Sequence, residues 1–235
     1  MANLKNHMQL TTSPGSLIAG RFSRHPERYL EIFRIMRKYN LHHIAAEFGL
    51  KHRHEEEEDG HHLDDHDDHE DHAADLANVL EELGPCYIKL GQLLSTRPDL
   101  LPSEYIQALS RLQNTVTPVP IDKITAIIES DLGAPISELF KSFDCEPLAT
   151  ASMAQVHGAV LPDGTEVAVK VQRPGVRQQI EIDLEVMHEV TRFATKYTSF
   201  GARYGLQQIV RELEHSLTQE LDFRLEADKI GRAHV

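Results

Sequence analysis

The sequence is poor in cysteine and lacks both a long apolar run and the hydrophobic region of a signal peptide. Its two cysteines, Cys86 and Cys145, are too few for a disulfide framework. We interpret both as buried small apolar residues of a protein from a reducing compartment. No stretch approaches the ~20 apolar residues that a membrane-spanning helix needs. These absences exclude a disulfide-rich secreted protein and predict a soluble chain made in the cytoplasm.

Basic residues are missing from one tract, His54–His72, which holds eleven acids, six histidines and no Lys or Arg. The net charge of the chain is −13, but without this tract 26 acidic residues face 24 basic ones. The remainder is nearly neutral, so nucleic acid is not an expected partner. Because the tract cannot bury a core, we interpret residues 51–73 as a solvated linker, with loose binding of Zn²⁺, Ni²⁺ or Cu²⁺ as the alternative.

The N-terminal part divides into a tail and a helix. Residues 1–26 are rich in Ser, Thr, Pro and Gly, which predicts a disordered tail. An amphipathic helix is predicted within residues 27–50. Its apolar stripe consists of Tyr29, Ile32, Phe33 and Met36. We expect the stripe to pack on the protein's own core, with adsorption to a membrane surface as the alternative, since basic residues surround it.

Residues 74–145 show helical periodicity interrupted by Gly and Pro, and are predicted to form a helical extension. Gly84-Pro85 separates two helices, because Pro85 suits the first turn of a new helix. Gly133 is predicted to end a later helix.

The pattern changes at Glu146, and residues 146–229 are predicted to combine a small sheet with helices. Two runs rich in strand-forming residues, MAQVHGAVL and TEVAVKVQ, flank Pro162-Asp163-Gly164, which indicates a hairpin. Helical periodicity returns after Pro174 and again from about Leu206.

The second strand of this hairpin ends in Val167-Ala168-Val169-Lys170, which is similar to the VAIK strand of kinases. Such a lysine neutralises nucleotide phosphates; a surface lysine with a solvated head is the structural alternative. The preceding loop, LATASMAQV, has small residues where kinases have glycines. Its alanines lack the freedom of Gly, so phosphates would be held differently there.

A lysine in this role needs a carboxylate partner on a nearby helix. The candidate is Glu220 in QELDFRLEA, with Asp222 two residues later. On a continuous helix the two side chains would lie about 200° apart, so both can face one site only where the helix ends or bends. A solvated acidic face is the alternative.

A third polar cluster is Lys89-Leu90-Gly91-Gln92. Lys89 and Gln92 share one helix face, and Gly91 permits close approach of another backbone or a ligand. These residues suggest a helix wedged against a polar cleft.

Together these segments resemble the UbiB family of atypical kinases, also called ADCK or aarF-domain kinases. The resemblance runs from about His25 to Lys229 and contains four motifs in order. They are the KxGQ segment (KLGQ), an alanine-rich loop (ATAS), the invariant-lysine strand (VAVKVQRPGV) and the ExD motif (ELDFRLEA). The resemblance implies an α+β fold: a protein-kinase-like N-lobe with a small antiparallel sheet plus helices, and a family-specific helical N-terminal extension.

The resemblance also implies roles for residues. Lys170, Glu220 and Asp222 would be catalytic, with Lys170 contacting the phosphates of ATP or ADP with Mg²⁺ and pairing with Glu220. Asp222 would lie near the KxGQ helix. The alanine-rich loop would bind nucleotide through four residues: Ala149, Thr150, Ala151 and Ser152. The KxGQ residues Lys89, Gly91 and Gln92 would cover the cleft and exclude peptide substrates, which leaves ATPase or small-molecule kinase activity.

Members of this family support ubiquinone biosynthesis, which implies quinone-biosynthesis proteins or lipid precursors as partners. The implied location is the cytoplasmic face of the inner membrane. The family's C-lobe, with its metal-binding acids, is not found in this sequence, so no metal ligand is assigned and the fragment itself is expected to be inactive. A nucleotide-binding, pseudokinase-like regulatory module is the alternative.

The ending Ile230–Val235 departs from the family pattern. It corresponds to one reading frame of a common sequencing-adapter oligonucleotide. We therefore interpret it as an adapter-derived artefact.

Overall fold

A computed structural model describes four stretches of the chain: residues 24–39, 65–112, 117–197 and 203–223, with the backbone alone at 65–70 and 197. The predicted tail up to residue 23, the first part of the His/acid-rich linker and the segment 230–235 lie outside them. The described residues form helices and one small antiparallel sheet. This combination confirms the expected α+β fold.

Helices precede and follow the sheet. The helices before it are α1 (Pro26–Lys38), α2 (Asp65–Leu83), α3 (Pro85–Ser95), α4 (Ser103–Ser110), α5 (Ile121–Leu132) and α6 (Ile136–Leu139). The helices after it are α7 (Val176–Tyr197) and α8 (Leu206–Leu221).

Proline and glycine set many of the helix boundaries. Pro85 is the first residue of α3, where its fixed φ suits a helix and its missing N–H costs nothing. Prolines also open α1 and directly precede α4, α5 and α6. Gly133 ends α5 in a left-handed conformation, with φ of 73°. The predicted breaks at Gly84-Pro85 and Gly133 are confirmed.

Helix α2 begins at Asp65, inside the segment predicted as a linker that runs to residue 73. The boundary of the linker is corrected accordingly. Carboxylates are favourable at a helix N-terminus because they face the positive end of the helix dipole, so an acid-rich segment can start a helix without contributing to a core.

Helix α1 packs on the protein through an ion pair as well as through apolar side chains. The Arg28 guanidinium is buried and donates to both carboxylate oxygens of Asp183, at 2.6 and 3.2 Å. It also donates to the Leu83 carbonyl at the end of α2, at 2.6 Å. Burial raises the pKa of the Asp183 carboxyl, an effect that Arg28 opposes. The pair therefore fastens α1 to α2 and α7.

The apolar stripe predicted for α1 is only partly its buried face. Ile35 is buried and Ile32 partly buried, whereas Phe33 and Met36 are exposed. The prediction was wrong because it excluded Arg28 from the packed face. The partner carboxylate that makes burial of this arginine favourable lies far away in the sequence.

One core joins α1–α4, α7 and α8, which we call the helical unit. Helix α3 lies at its centre and contacts α2, α4, α7 and α8. Fully buried side chains there include Cys86, Leu109, Ile180, Leu213 and Leu217.

The sheet has three antiparallel strands in the order β1 (Ser142–Thr150), β2 (Ala154–Val160) and β3 (Glu166–Gln172). Strands β2 and β3 pair from Ala154↔Gln172 to Val160↔Glu166. Gly164, with φ of 92°, completes the turn between them. The predicted hairpin is confirmed, and a further strand, β1, begins upstream of Glu146.

Helices α5 and α6 cover one face of the sheet, and together they form what we call the sheet unit. Its small core consists of Ile124, Ile128, Phe140, Ala159 and Val171.

A chain of neutral hydrogen bonds crosses the sheet unit. The fully buried Gln155 amide bonds both backbone groups of Val119, and its Nε2 lies 3.1 Å from His157 Nε2. His157 Nδ1 lies 2.8 Å from the Asp144 carbonyl. A carbonyl only accepts, so Nδ1 donates to it and Nε2 accepts from Gln155. Each side-chain polar group of this hydrogen-bond network therefore has a partner.

The two cysteines differ in environment. Cys86 is buried in the helical unit, and burial raises the pKa of its thiol. Cys145 is exposed on β1, so the prediction that both are buried was wrong. β1 is an edge strand, and Cys145 lies where the strand departs from regular pairing with β2.

In the described parts of the chain, no helix has the length and apolar character needed to cross a bilayer.

Candidate functional site

The C-terminal end of α8 is fastened beside the end of β3. The Leu221 carbonyl, one of the groups that a helix end leaves unpaired, accepts from Gln172 Nε2 at 2.7 Å and from Arg177 at 3.3 Å. These bonds bring the ExD segment next to the strand that carries Lys170.

Helix α8 ends between the two acids of the ExD segment. Leu221 is its last residue, and Asp222 has φ of −96° and ψ of 89°, outside the helical range. The side chains of Glu220 and Asp222 therefore do not continue one helical surface, and each borders a different cavity.

The first cavity is small, about 40 Å³. It lies between the loop that joins β1 to β2, the end of β3 and the end of α8. Its lining includes Ala151, Ser152, Lys170 and Glu220. A volume of this size has room for a small number of water molecules.

The second cavity is open and larger, about 650 Å³, which lies within the range of small-molecule sites. It lies between α5, β3 and the end of α8. Its charged lining residues are Asp131, Lys170, Arg177 and Asp222. Lys170 thus borders both cavities, together with Gln172, Leu221 and Phe223.

The Glu220 carboxylate forms its ion pair with Lys89 of α3. Lys89 Nζ lies 2.7 Å from Glu220 Oε2, an oxygen that is itself shielded from solvent. This oxygen accepts no hydrogen bond, so the contact is an ion pair. Both side chains are about one-third exposed, so solvent screening limits the contribution of the pair to about 1 kcal/mol.

Lys170 and Glu220, which we expected to pair, border the same small cavity. The ammonium of Lys170 lies over the Phe223 ring, with Nζ 4.8 Å from the ring centre. An ammonium over an aromatic face is attracted by the ring quadrupole. Glu220 therefore pairs with the KxGQ helix, and Lys170 lies at the boundary of the two cavities.

The alanine-rich loop is a three-residue turn between β1 and β2. The Ala151 N–H donates to the Ala154 carbonyl at 2.8 Å, which closes the turn. Ala151 and Ser152 border the small cavity, whereas Ala149 and Thr150 belong to β1 and pair with β2. Of the four residues expected at the nucleotide, Ala151 and Ser152 therefore lie at the cavity that Lys170 borders.

The KxGQ residues divide between packing and polar contact. Gly91 is buried in the helical unit, where an added Cβ would overlap Leu112 Cδ1 and lie 2.9 Å from Leu80 Cδ1. Its small size therefore serves helix packing. Gln92 Nε2 donates to the Leu112 carbonyl at 3.2 Å. Lys89 is the member of the motif that reaches the small cavity's lining, through Glu220.

Arg173 was missed by sequence reasoning. Its guanidinium donates to the Ala151 carbonyl at 2.9 Å and to the Thr117 carbonyl at 2.8 Å. Its backbone N–H donates to the Met153 carbonyl at 2.9 Å. Burial lowers the pKa of this guanidinium. An arginine directly after the strand, in the sequence QRPG, was the available signal. It holds the loop that borders the small cavity.

In the four described stretches, no group of three or more His, Cys, Asp or Glu side chains is arranged to hold a metal ion. Two carboxylates share the larger cavity with Lys170: Asp131 of α5 and Asp222, which directly follows α8.

Comparison with protein families matches residues 111–234 to the ABC1 atypical kinase-like domain. The matched region contains the sheet unit, α7, α8 and both cavities. It also extends into the segment 230–235, which the sequence analysis set apart.

Curated proteins match a similar stretch. A protein named "Probable protein kinase UbiB" from Marinobacter nauticus is 47% identical over 149 residues, which cover 63% of this chain and 27% of that protein. Its namesake from Cellvibrio japonicus is 45% identical over 152 residues, covering 65% and 28%. The chain thus spans about a quarter of the length of these relatives. Among solved structures, a Mycobacterium tuberculosis protein in complex with erythromycin matches 63% of this chain and 37% of its own, at 34% identity and a TM-score of 0.37.

Proposed function

The chain belongs to the ABC1 atypical kinase-like family, and we propose that it is the nucleotide-binding part of a UbiB-type kinase or ATPase that supports ubiquinone biosynthesis. The observation that carries this proposal is the position of Lys170. Its side chain borders the small cavity with the alanine-rich loop and the larger cavity with Asp222. A cation between a small-residue turn and a carboxylate is the arrangement that a nucleotide polyphosphate requires.

We propose ATP or ADP with Mg²⁺ as the ligand. The larger cavity has room for a nucleotide, and Lys170 supplies positive charge for its phosphates. Mg²⁺ would arrive with the nucleotide, since this ion is usually held by one or two carboxylates together with phosphate oxygens. The resemblance implies that the carboxylates holding this ion belong to the C-lobe, and the bound ion would neutralise phosphate charge.

The KxGQ helix is proposed to keep the cleft closed to peptides. The ion pair between Lys89 and Glu220 joins α3 to α8 beside the small cavity. A peptide hydroxyl approaching from that side would have to separate the two charges. This favours ATP hydrolysis or phosphorylation of a small molecule, and we assign a lipid precursor of the quinone as the acceptor class.

Replacement of Lys170 by Ala tests the proposal. The unsubstituted chain should be stabilised by ATP or ADP with Mg²⁺, by about 2.7 kcal/mol at a concentration of about one hundred times Kd. Lys170→Ala should lose this stabilisation, while Lys141→Ala, an exposed lysine beside β1, should keep it. Thermal unfolding with and without nucleotide measures the effect. Equal nucleotide-induced shifts in the two variants would remove the role assigned to Lys170.

A second candidate function is a nucleotide-binding regulatory module without turnover, like a pseudokinase. The ion pair between Glu220 and Lys89 favours it, because a kinase orients its nucleotide lysine with a helix glutamate, and here the candidate glutamate pairs with a lysine of α3. Phosphate release from ATP, measured on the full-length gene product because the fragment alone is expected to be inactive, distinguishes the two functions. Release that disappears in Lys170→Ala supports the kinase or ATPase, and binding without release supports the module.

A further inference from the structure

Arg173 binds both ends of the turn that forms the alanine-rich loop. Its guanidinium donates through Nε to the Ala151 carbonyl at 2.9 Å. Its backbone N–H donates to the Met153 carbonyl, also at 2.9 Å. One residue therefore fixes the carbonyls at the first and last positions of a turn that contains no glycine.

The guanidinium is anchored on its other side by the connector that leads into α5. Its Nη2 donates to the Thr117 carbonyl at 2.8 Å. Two residues further along this connector, both backbone groups of Val119 are bonded to the buried Gln155 amide of β2. Because the connector is itself fixed to the sheet, Arg173 ties the loop to a well-packed part of the sheet unit.

The charge of Arg173 is partly buried beside neutral acceptors. Among the described residues, its guanidinium bonds two backbone carbonyls and pairs with no carboxylate. Burial lowers the pKa of this guanidinium. Arg28, by contrast, is buried beside the carboxylate of Asp183. Burying a charge without a counter-ion is unfavourable for folding, so stability alone does not account for an arginine at this position.

The direction of the Ala151 carbonyl matters for a phosphate ligand. Carbonyl and phosphate oxygens repel each other, and phosphate-binding loops present backbone N–H groups instead. The peptide group is planar and trans, so the Ala151 carbonyl and the Ser152 N–H point in opposite directions. By holding the carbonyl, Arg173 fixes the direction of both groups. Ala151 and Ser152 border the same small cavity as Lys170.

We propose that Arg173 is a positioning residue of the nucleotide site, which holds the alanine-rich loop in the conformation that accepts phosphate beside Lys170. This inference rests on the proposed function. A glycine-rich loop adapts to phosphates through its backbone freedom, which alanines lack. A loop without that freedom needs its conformation set in advance, and groups that are already oriented need no reorganisation when the ligand arrives.

Nucleotides that differ only in their phosphates test this role. Calorimetric titration of the 235-residue chain, with Mg²⁺ and either AMP or ATP, gives two affinities and their ratio. A change in the folded fraction affects both ligands equally, so the ratio reports phosphate contacts and not stability. Arg173→Gln should reduce the preference for ATP over AMP by about tenfold or more, the effect of one hydrogen bond to a charged group.

Arg173→Lys separates positioning from charge. Lysine keeps the positive charge but lacks the planar fork that bonds two carbonyls at once. We expect the ATP preference to fall in this variant as well, while Arg192→Gln, at an exposed position of α7, should keep it. Full ATP preference in Arg173→Lys would mean that charge alone acts, and the positioning role would be wrong.

The titration also separates this inference from the proposed function. If the unsubstituted chain binds neither nucleotide, the proposed function is wrong and the role of Arg173 falls with it. If the unsubstituted chain prefers ATP and both Arg173 variants keep that preference, the role of Arg173 alone is wrong.

Amide hydrogen exchange tests the hold on the loop without any nucleotide. Both Arg173 variants should exchange faster than the unsubstituted chain in the peptide that contains Ala151–Ala154, because the loop loses a bond that restrains it. Arg192→Gln should leave this exchange unchanged. Equal exchange in all four proteins would show that the guanidinium does not hold the loop and would overturn the inference.

Discussion

The helical unit and the sheet unit bury polar side chains in different ways. The helical unit encloses a charged pair, Arg28 and Asp183, at a junction of three helices. The sheet unit encloses neutral groups, the Gln155 amide and the His157 ring, bonded to each other and to backbone. The difference matters when one partner is removed, because an uncompensated buried charge costs more than an uncompensated neutral group.

The site lies where the two units meet. Lys170 comes from the sheet unit, whereas Glu220 and its partner Lys89 come from the helical unit. The position of Lys170 relative to the ExD segment therefore depends on the bonds that join the units, of which those from Gln172 and Arg177 to the Leu221 carbonyl are examples.

The largest expected effect is in the helical unit. Arg28→Ala leaves the fully buried Asp183 without its cation, and we expect it to lower the free energy of unfolding by about 3–5 kcal/mol. Denaturant-induced unfolding followed by circular dichroism measures the change. Lys38→Ala, also on α1, removes an exposed ion pair with Glu82 of α2 and should change stability little. Equal losses in the two variants would show that charge burial is not what fastens α1.

A smaller effect is expected in the sheet unit. Gln155→Leu keeps the side-chain size but leaves both backbone groups of Val119 unpaired, which should cost about 1–3 kcal/mol. The same unfolding measurement applies, with Gln178→Leu as the control at an exposed position of α7. A loss larger than that of Arg28→Ala would reverse the ranking of the two units.

The smallest expected effect is a difference in cysteine reactivity between the two units, with no change in stability. Each contains one free cysteine, and only the thiolate reacts readily with iodoacetamide. Cys145 should be alkylated in the native protein, whereas burial raises the pKa of Cys86 and shields it from reagent. Mass spectrometry of digested samples reads both sites. In Cys145→Ser, native labelling should vanish and return when denaturant opens the helical unit; prompt labelling of Cys86 would mean that this core opens readily.

Local chemistry accounts for much of what sequence reasoning predicted. The hairpin around Gly164 and the helix ends at Gly84-Pro85 and Gly133 follow from backbone preferences of single residues. Strand β1 was harder to predict, because its pairing with β2 is irregular, with register shifts between Phe143 and Ala149. A strand with an irregular alternation of buried and exposed residues has a weak sequence pattern.

The arrangement around Lys170 shows the limit of such reasoning. The sequence motifs pointed to Lys170, Glu220 and Lys89 as polar residues of one cleft, but their pairing depends on how α3 crosses the end of α8. Glu220 could meet either lysine as far as residue type is concerned, and the structure gives it Lys89 at 2.7 Å.

By itself, the sequence determined those helices and strands whose ends are marked by Gly or Pro. It also determined which residues can carry charge in the cleft. Both properties belong to single residues and their near neighbours. Tertiary structure alone decided that Arg28 is buried, that Phe33 faces solvent and that Glu220 pairs with Lys89. Each of these outcomes depends on partners 50 or more residues away, as with Arg28 and Leu83 at a separation of 55. The free energy of burying a charge is set by where such distant partners lie in the fold.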